Sequence, residues 1–368
     1  MVRSLWSVIG REARGMHEAA YLLAAFALGS QLLALVRDRL FAAHFGASHT
    51  LDIYYAAFRI PDFLFATIAS LLSLYALLPV LTRVQQQKGE GAIVAFLEQS
   101  LLFFFVCMGA ISLIAFVWAP QIVAFTTPGI HDPSLVLLVR ILLLQPILLG
   151  ASNIIAAFTQ LKQRFFLYSL SPLLYNFGII FGILVLYPHM GVAGLGWGVV
   201  LGALLHFLVQ IPFFGAEKQE RWLPFSELFS ELFAVLKLSV PRTLALAATQ
   251  ISLLLILALA SLLSAGSISI FMFAYNLQAV PLTIIGVSYS VAAFPTLARL
   301  HAQGSHAEFV RYVETALRHI FFWSIPATIF VIVLRAQIVR VILGAGAFDW
   351  SATRLTAAAL ALFIVSLA

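Results

Sequence analysis

Between Gly29 and Asp62 the chain sets six arginine and aspartate residues, Arg37, Asp38, Arg39, Asp52, Arg59 and Asp62, inside or between two strongly apolar runs. An ionised side chain at mid-membrane costs roughly 2.5 to 3.5 kcal/mol even on lenient insertion scales, so such groups pair, line a wet cavity or bind a ligand. Two readings stand side by side. Arg37 and Arg39 lie in the second half of their run and could snorkel to the interface. Asp38 and Asp52 gain nothing from snorkelling, and Arg59 with Asp62 opens the next run, which favours a paired, water-lined group. An arginine fork in that setting suits phosphate or pyrophosphate, because its planar donors take two oxygens at once. The pattern alone does not name the ligand.

Other polar residues interrupt apolar runs singly. Arg140 either snorkels or lines a cavity; Asn176 and Asn276 read first as interhelical hydrogen-bond formers, and His206 as a helix contact rather than a proton relay. No Ser/His/Asp set, HExxH, Walker loop or metal-spaced His/Cys group is present, and GLGWG (Gly194 to Gly198) follows no strand. The expected protein is no enzyme and has no cofactor and no metal, which leaves transport, scaffolding or sensing.

The elements that carry these residues follow from composition. Of 368 residues, 62% are hydrophobic and 10% charged, and mean hydropathy is +1.03. That is far more apolar surface than a soluble core hides, so the chain reads as an all-α polytopic membrane protein. The single cysteine, Cys107, offers no disulfide framework. The net charge of +6 is spread over short loops rather than gathered in a patch, which argues against nucleic acid.

At about 20 apolar residues per crossing, spans are expected near 20–45, 54–81, 94–118, 134–158, 165–187, 192–214, 240–263, 269–297 and 315–334. A tenth begins near 352 and is still apolar at Ala368, an expectation of a C-terminally truncated chain. Residues 3–18 read as a short interfacial segment. Most lysines and arginines fall in loops that are cytoplasmic if the N-terminus is, and the opposite loops at 126–133, 188–191 and 264–268 carry none. Arg335, Arg340 and Arg354 run against that scheme.

A weak repeat appears at an offset of about 216 residues: Pro79, Leu81 and Arg83 match Pro295, Leu297 and Arg299, and Gln121 to Val123 match Gln337 to Val339. The offset covers an even number of spans, so the two copies enter the membrane in the same direction as parallel-repeat lobes. The expected organisation is an N-lobe over 1–214, an amphipathic linker over 215–239 and an incomplete C-lobe over 240–368. In the linker, Leu228, Phe229, Leu232, Phe233 and Leu236 share one face, either in the membrane plane or on a solvated connector. Gly194, Gly198 and Gly202, with Gly178 and Gly182, form small-residue stripes for close helix packing.

In combination, several stretches resemble the MurJ/MviN lipid II flippases of the multidrug/oligosaccharidyl-lipid/polysaccharide exporter superfamily. They are Arg37-Asp38 with Phe45-Gly46-Ala47, then Asp52, AFRIP at Ala57 to Pro61 and LLPVL at Leu77 to Leu81, followed by Arg164-Phe165, SPLLYNFGII at Ser171 to Ile180, the run Gly191 to Pro212, and FPTLARLHAQG at Phe294 to Gly304. The resemblance implies two lobes around a central cationic cavity, a tail groove from further helices, and alternating access that carries a lipid-linked peptidoglycan precursor from the inner to the outer leaflet. Its charged positions carry over onto Arg37, Asp52 and Arg59. Elsewhere the chain departs: Gln31 stands where the pattern has an arginine, Phe65, Ala66 and Ala69 to Leu71 replace an arginine-bearing turn, and Asn276 and Ala279 replace an arginine and a glutamate. Each lost guanidinium removes a charge-assisted contact worth about 1.5 to 3 kcal/mol.

The resemblance thus implies a substrate site of Arg37 and Arg59 on the pyrophosphate, Asp52 orienting them, and Gln31 and Asn276 on sugar or peptide. The implied partners are the anionic lipid-linked substrate and membrane lipids, with a coupling cation left open, and the implied location is the bacterial inner membrane. The alternatives are a non-transporting scaffold of cell-wall synthesis, or another polysaccharide or drug exporter of the superfamily.

Overall fold

The computed structural model describes residues 16–211 and 222–367, and every regular element among them is helical. Of the expected interfacial segment at 3–18, residues 3–15 lie outside the described residues and 16–18 begin the first helix; the linker residues 215–221 also lie outside them. Helix α1 (Met16–Phe45) comes first. The next apolar run is in pieces: α2 (His49–Ala57), α3 (Arg59–Thr67), a 3-10 turn at Ala69–Leu72, and α4 (Leu74–Lys88). Pro61 has no N–H for the Ala57 carbonyl, so the helix opens at Phe58. Further on, His49–Thr67 and Ala69–Lys88 meet at 43°.

Proline sets two more breaks. Helix α5 (Glu90–Val117) stops before α6 (Ala119–Thr126) because Pro120 cannot bond the Phe116 carbonyl, and α7 (Pro133–Leu142) gives way to α8 (Leu144–Leu161) because Pro146 cannot bond that of Leu142. Helix α9 (Phe165–Phe181) passes through a π-turn at Gly182–Leu186 into α10 (Tyr187–Met190), and α11 (Val192–Leu208) returns beside it.

Next comes α12 (Phe225–Ser261), a single 37-residue helix. Then α13 (Ser267–Leu282) runs through a π-turn at Thr283–Val287 into α14 (Ser288–Ala302), followed by α15 (His306–Val333), α16 (Arg335–Leu343) and α17 (Trp350–Phe363). Among the described residues seven helices are long and apolar enough to cross a membrane, eight if the bent pair is one span, and Val192–Leu208 is a shorter apolar helix. The expected count of about ten is roughly met, and the chain is a multi-pass membrane protein.

The repeat is visible in helix boundaries. Glu90–Val117 and His306–Val333 are each 28 residues long and begin and end 216 residues apart. Each is followed by a one-residue break and a short helix, then by a helix capped by an aspartate: Asp132 accepts from the Ser134 N–H at 2.8 Å and Asp349 from the Ala352 N–H at 2.7 Å.

The expected linker differs in form. Residues 225–239 are the first turns of α12, continuous with the span that follows, because no helix-breaking signal separates them and Pro241 is accommodated inside the helix. Its apolar stripe also divides. Leu228, Leu232 and Val235 are buried against Leu77, Leu81 and Val84 of α4 and Phe96 of α5, whereas Phe229 and Phe233 are exposed. Glu227 and Glu231 turn to α4, where they pair with Lys88 and Arg83.

Contacts divide the chain into two compact units, one of residues up to Arg37 with Ile53–Ser264, the other of Asp38–Asp52 with Ala265–Ala368. This division cuts α1 and α2 rather than falling between 214 and 240, so the lobe boundaries of the repeat and the contact units are different partitions of the chain.

In the first unit, α9 and α11 meet backbone to backbone. A Cβ on Gly178 would lie 2.3 Å from the Cα of Gly202, one on Gly198 would lie 2.4 Å from the Cα of Gly182, and one on Gly194 would lie 2.5 Å from the Leu186 carbonyl. Only glycine permits that approach. Gly202 lies against the Tyr175 carbonyl, where a Cβ would come within 2.4 Å of its oxygen. The seam therefore fixes the height at which Tyr175 and Asn176 face their neighbours.

Candidate anionic headgroup site

In the first unit, Arg37 and Ser30 lie seven residues apart on α1, nearly in line on one face at about 100° per residue. Both reach Asn176 on α9. Arg37 Nη1 donates to Asn176 Oδ1 at 2.9 Å, and Asn176 Nδ2 donates to Ser30 Oγ at 3.3 Å and to the Pro172 carbonyl at 3.1 Å. Asn176 is buried and Arg37 half-buried, so the amide holds the guanidinium by its charge-assisted bond. Gln31 is half-buried on α1 but sits roughly a third of a turn from the Arg37 face. Ser30, not Gln31, shares that face.

Arg59, on α3, is 7% exposed. Its Nη2 donates to Asp62 Oδ2 at 3.1 Å, and its Nε has no partner among the described residues. Asp62 also accepts from Gln145 at the start of α8, and Tyr175 lies within electrostatic reach of both Asp62 and Arg37. Arg59, Asp62, Gln145, Tyr175 and Arg37 are thus polar neighbours among apolar helices. The breaks at Phe58 and Leu143 place the α3 and α8 members at helix starts.

In the second unit, Asp38 is buried and accepts from Asn276 Nδ2 of α13 at 3.1 Å. Arg39 donates to the carbonyls of Val341 at 2.6 Å and Ile342 at 3.0 Å. Asp52 is 4% exposed. Its Oδ2 accepts from the Gly266 N–H at 2.6 Å, and its Oδ1 from the Ser269 N–H at 2.7 Å and the Ser269 hydroxyl at 2.6 Å. Three donors at the α13 N-terminus occupy it, so Asp52 anchors a helix end rather than orienting Arg37 or Arg59. Nothing near Asp52 in sequence signals this, because its partners lie more than 210 residues away.

The sequence pattern also missed Tyr175 and Gln145. Both follow helix punctuation, Tyr175 after Pro172 and Gln145 just before Pro146. His206 contacts Ser152, with Nδ1 and Oγ 2.7 Å apart, in a buried group that includes Gln210 and Ser171. No group of three His, Cys, Asp or Glu among the described residues is arranged to hold a metal.

Asn176→Leu keeps the volume class but removes the acceptor of Arg37 and the donor to Ser30. The expected outcome is a stability loss of about 1.5 to 3 kcal/mol, read by melting of the purified protein, whereas Gln31→Leu leaves melting within about 0.5 kcal/mol.

These helices define a fold class, the multi-span helical architecture shared by MurJ and MATE structures. The solved structure of lipid II flippase MurJ in its inward closed conformation superposes with a TM-score of 0.78 at 22% identity, covering 94% of this chain and 72% of that one. An inward-facing multidrug resistance MATE family transporter of the MOP superfamily gives 0.74 at 13% identity, covering 92% and 78%. The family model described as lipid II flippase MurJ matches residues 41–368, and the chain belongs to that family. The lipid II flippase MurJ of Burkholderia cenocepacia is 26% identical over 366 residues, covering 96% of this chain and 70% of that relative.

Proposed function

We propose that this chain moves a lipid-linked peptidoglycan precursor, a lipid II-like polyprenyl-pyrophosphate sugar, from the inner to the outer leaflet of the bacterial inner membrane by alternating access, with its N-terminus cytoplasmic. The observation that carries this reading is the family match over residues 41–368, within which Arg59 stays buried in the spans, with Arg37 just upstream on α1. Arg37 and Arg59 meet the pyrophosphate, and Asn176 and Tyr175 set their positions. A guanidinium with an unbonded buried Nε, as at Arg59, retains donor capacity for an anion.

Complementation tests it. The wild-type gene is expected to rescue cells depleted of their flippase, and Arg37→Ala with Arg59→Ala to fail while accumulating in the membrane at the wild-type level. Rescue by the double variant would remove these residues from the mechanism.

One observation favours a second reading, a non-transporting scaffold of cell-wall synthesis: Gln31, Phe65, Ala66 and Asn276 stand where the resemblance implies cationic side chains, and Asn276 is committed to Asp38. That reading predicts no rescue by wild type and no lipid-linked ligand on the purified protein. A drug or polysaccharide exporter, with a coupling cation, predicts ion-driven efflux instead.

A further inference from the structure

Two openings in the first compact unit share Arg140 and Leu137 of α7. One, of about 570 Å³, lies at the 127–133 loop and is polar at its mouth, with Thr127, His131 and Asp132. The other, of about 480 Å³, is an apolar groove among α5, α7, α8 and α11, with Leu113, Phe116, Ile147 and Trp197 on its walls. We propose that together they form a site for one anionic phospholipid, its phosphate on Arg140 and an acyl chain along the groove.

Because Pro120 cannot donate, the Phe116 carbonyl lacks its helical partner four residues on. Arg140 supplies it: Nε donates to that oxygen at 3.2 Å, and the guanidinium carbon sits 4.9 Å from the centre of the Phe116 ring. One N–H suffices for the carbonyl, and the ring holds the plane of the fork. The two terminal nitrogens have no protein acceptor among the described residues, and Arg140 lines both openings. A fork held at one edge with its other donors vacant matches the two oxygens of a phosphodiester.

The groove supplies a second, independent sign. Ser112 lines it, is 5% exposed, and its Oγ has no partner. A Cβ on Gly109, in the same wall, would meet nothing within 4 Å, so the space beside it is open. No carboxylate lines the groove, and the one at the mouth, Asp132, already accepts the Ser134 N–H at the start of α7. A cation at the rim of an apolar trough thus complements an anionic headgroup with an aliphatic tail, drawn from the leaflet on the side of the 127–133 loop.

Native mass spectrometry of the full chain, released from detergent with phosphatidylglycerol or phosphatidylcholine added, tests the proposal. Wild type is expected to retain phosphatidylglycerol in preference to phosphatidylcholine. Arg140→Gln should lower phosphatidylglycerol retention about tenfold or more, Arg140→Lys should keep part of it, and Gly109→Phe, which fills open space, should weaken retention with Arg140 intact. Equal retention of the two lipids by wild type, or undiminished phosphatidylglycerol on Arg140→Gln, would overturn it. If Arg140→Gln does not accumulate because the Phe116 carbonyl is stranded, undiminished retention on Gly109→Phe overturns it equally.

Discussion

Asp52→Ala is expected to cost the second compact unit about 3 kcal/mol or more and to loosen the first turn of α13. The carboxylate is almost fully buried and accepts three hydrogen bonds, from the N–H groups of Gly266 and Ser269 and from the Ser269 hydroxyl. Alanine leaves the two N–H groups at a helix N-terminus without that acceptor, while the Ser269 hydroxyl keeps only the long bond to the Ser48 carbonyl at 3.4 Å. Each unsatisfied buried donor costs about 1 to 3 kcal/mol, and losing an N-terminal cap typically costs about 1 kcal/mol.

The backbone offers no rearrangement that would recover them. Gly266 has φ of +94°, and a Cβ there would lie 2.6 Å from the Ala47 carbonyl oxygen, so the turn is fitted to its present course. Asp52→Asn keeps one acceptor and should lose roughly half as much. Hydrogen exchange of the amides at 266–270, read beside the melting temperature, checks the result. Unchanged protection in Asp52→Ala would show that the carboxylate is not what holds the helix end.

Gly198→Leu is expected to prevent accumulation of folded protein, and Gly198→Ala to cost about 1 to 3 kcal/mol through overpacking. The first added carbon would already sit 2.4 Å from the Cα of Gly182 and 3.0 Å from the Gly178 carbonyl oxygen, both backbone atoms that no rotamer change can move aside. The helices must separate. Because the same seam sets Gly202 against Tyr175, separation also displaces Asn176 from Arg37 and Ser30. Gly109→Ala, on an open face of α5, is the matched control and should be neutral or mildly stabilising. Membrane accumulation reads Gly198→Leu and thermal melting of the purified protein reads the two alanine variants; a Gly198→Ala protein as stable as wild type would contradict backbone contact at the seam.

How much of this could be read from residues alone depended on how local its cause is. Apolar runs and the parallel repeat were legible because span length and hydropathy are local properties, and the 28-residue helices at 90 and 306 carry the repeat into three dimensions. Proline positions located the helix breaks in principle, yet the expected spans treated 54–81 and 134–158 as unbroken. A hydropathy window averages over one missing hydrogen bond. The stripe at Leu228 to Leu236 was legible as amphipathic but not as divided, because which half packs on α4 depends on distant residues.

The candidate site divides in the same way. Arg37 and Arg59 stand out because charges are rare in apolar runs. Asp52 stands out for the same reason, but its partners at Gly266 and Ser269 are invisible to any short-range pattern. Ser30 was overlooked beside Gln31 since a departure from a motif draws more notice than helical phase. Tyr175 and Gln145 are ordinary in sequence, and only the packing of α3, α8 and α9 brings them toward Asp62.

The proposed transport requires guanidinium groups within the spans to hold an anionic headgroup. Its most direct test is the binding of a polyprenyl-pyrophosphate-linked sugar to the purified full chain, compared with Arg37→Gln plus Arg59→Gln at matched folding. Retention by wild type with at least a tenfold loss in the double variant is predicted. Equal retention by both proteins would contradict it.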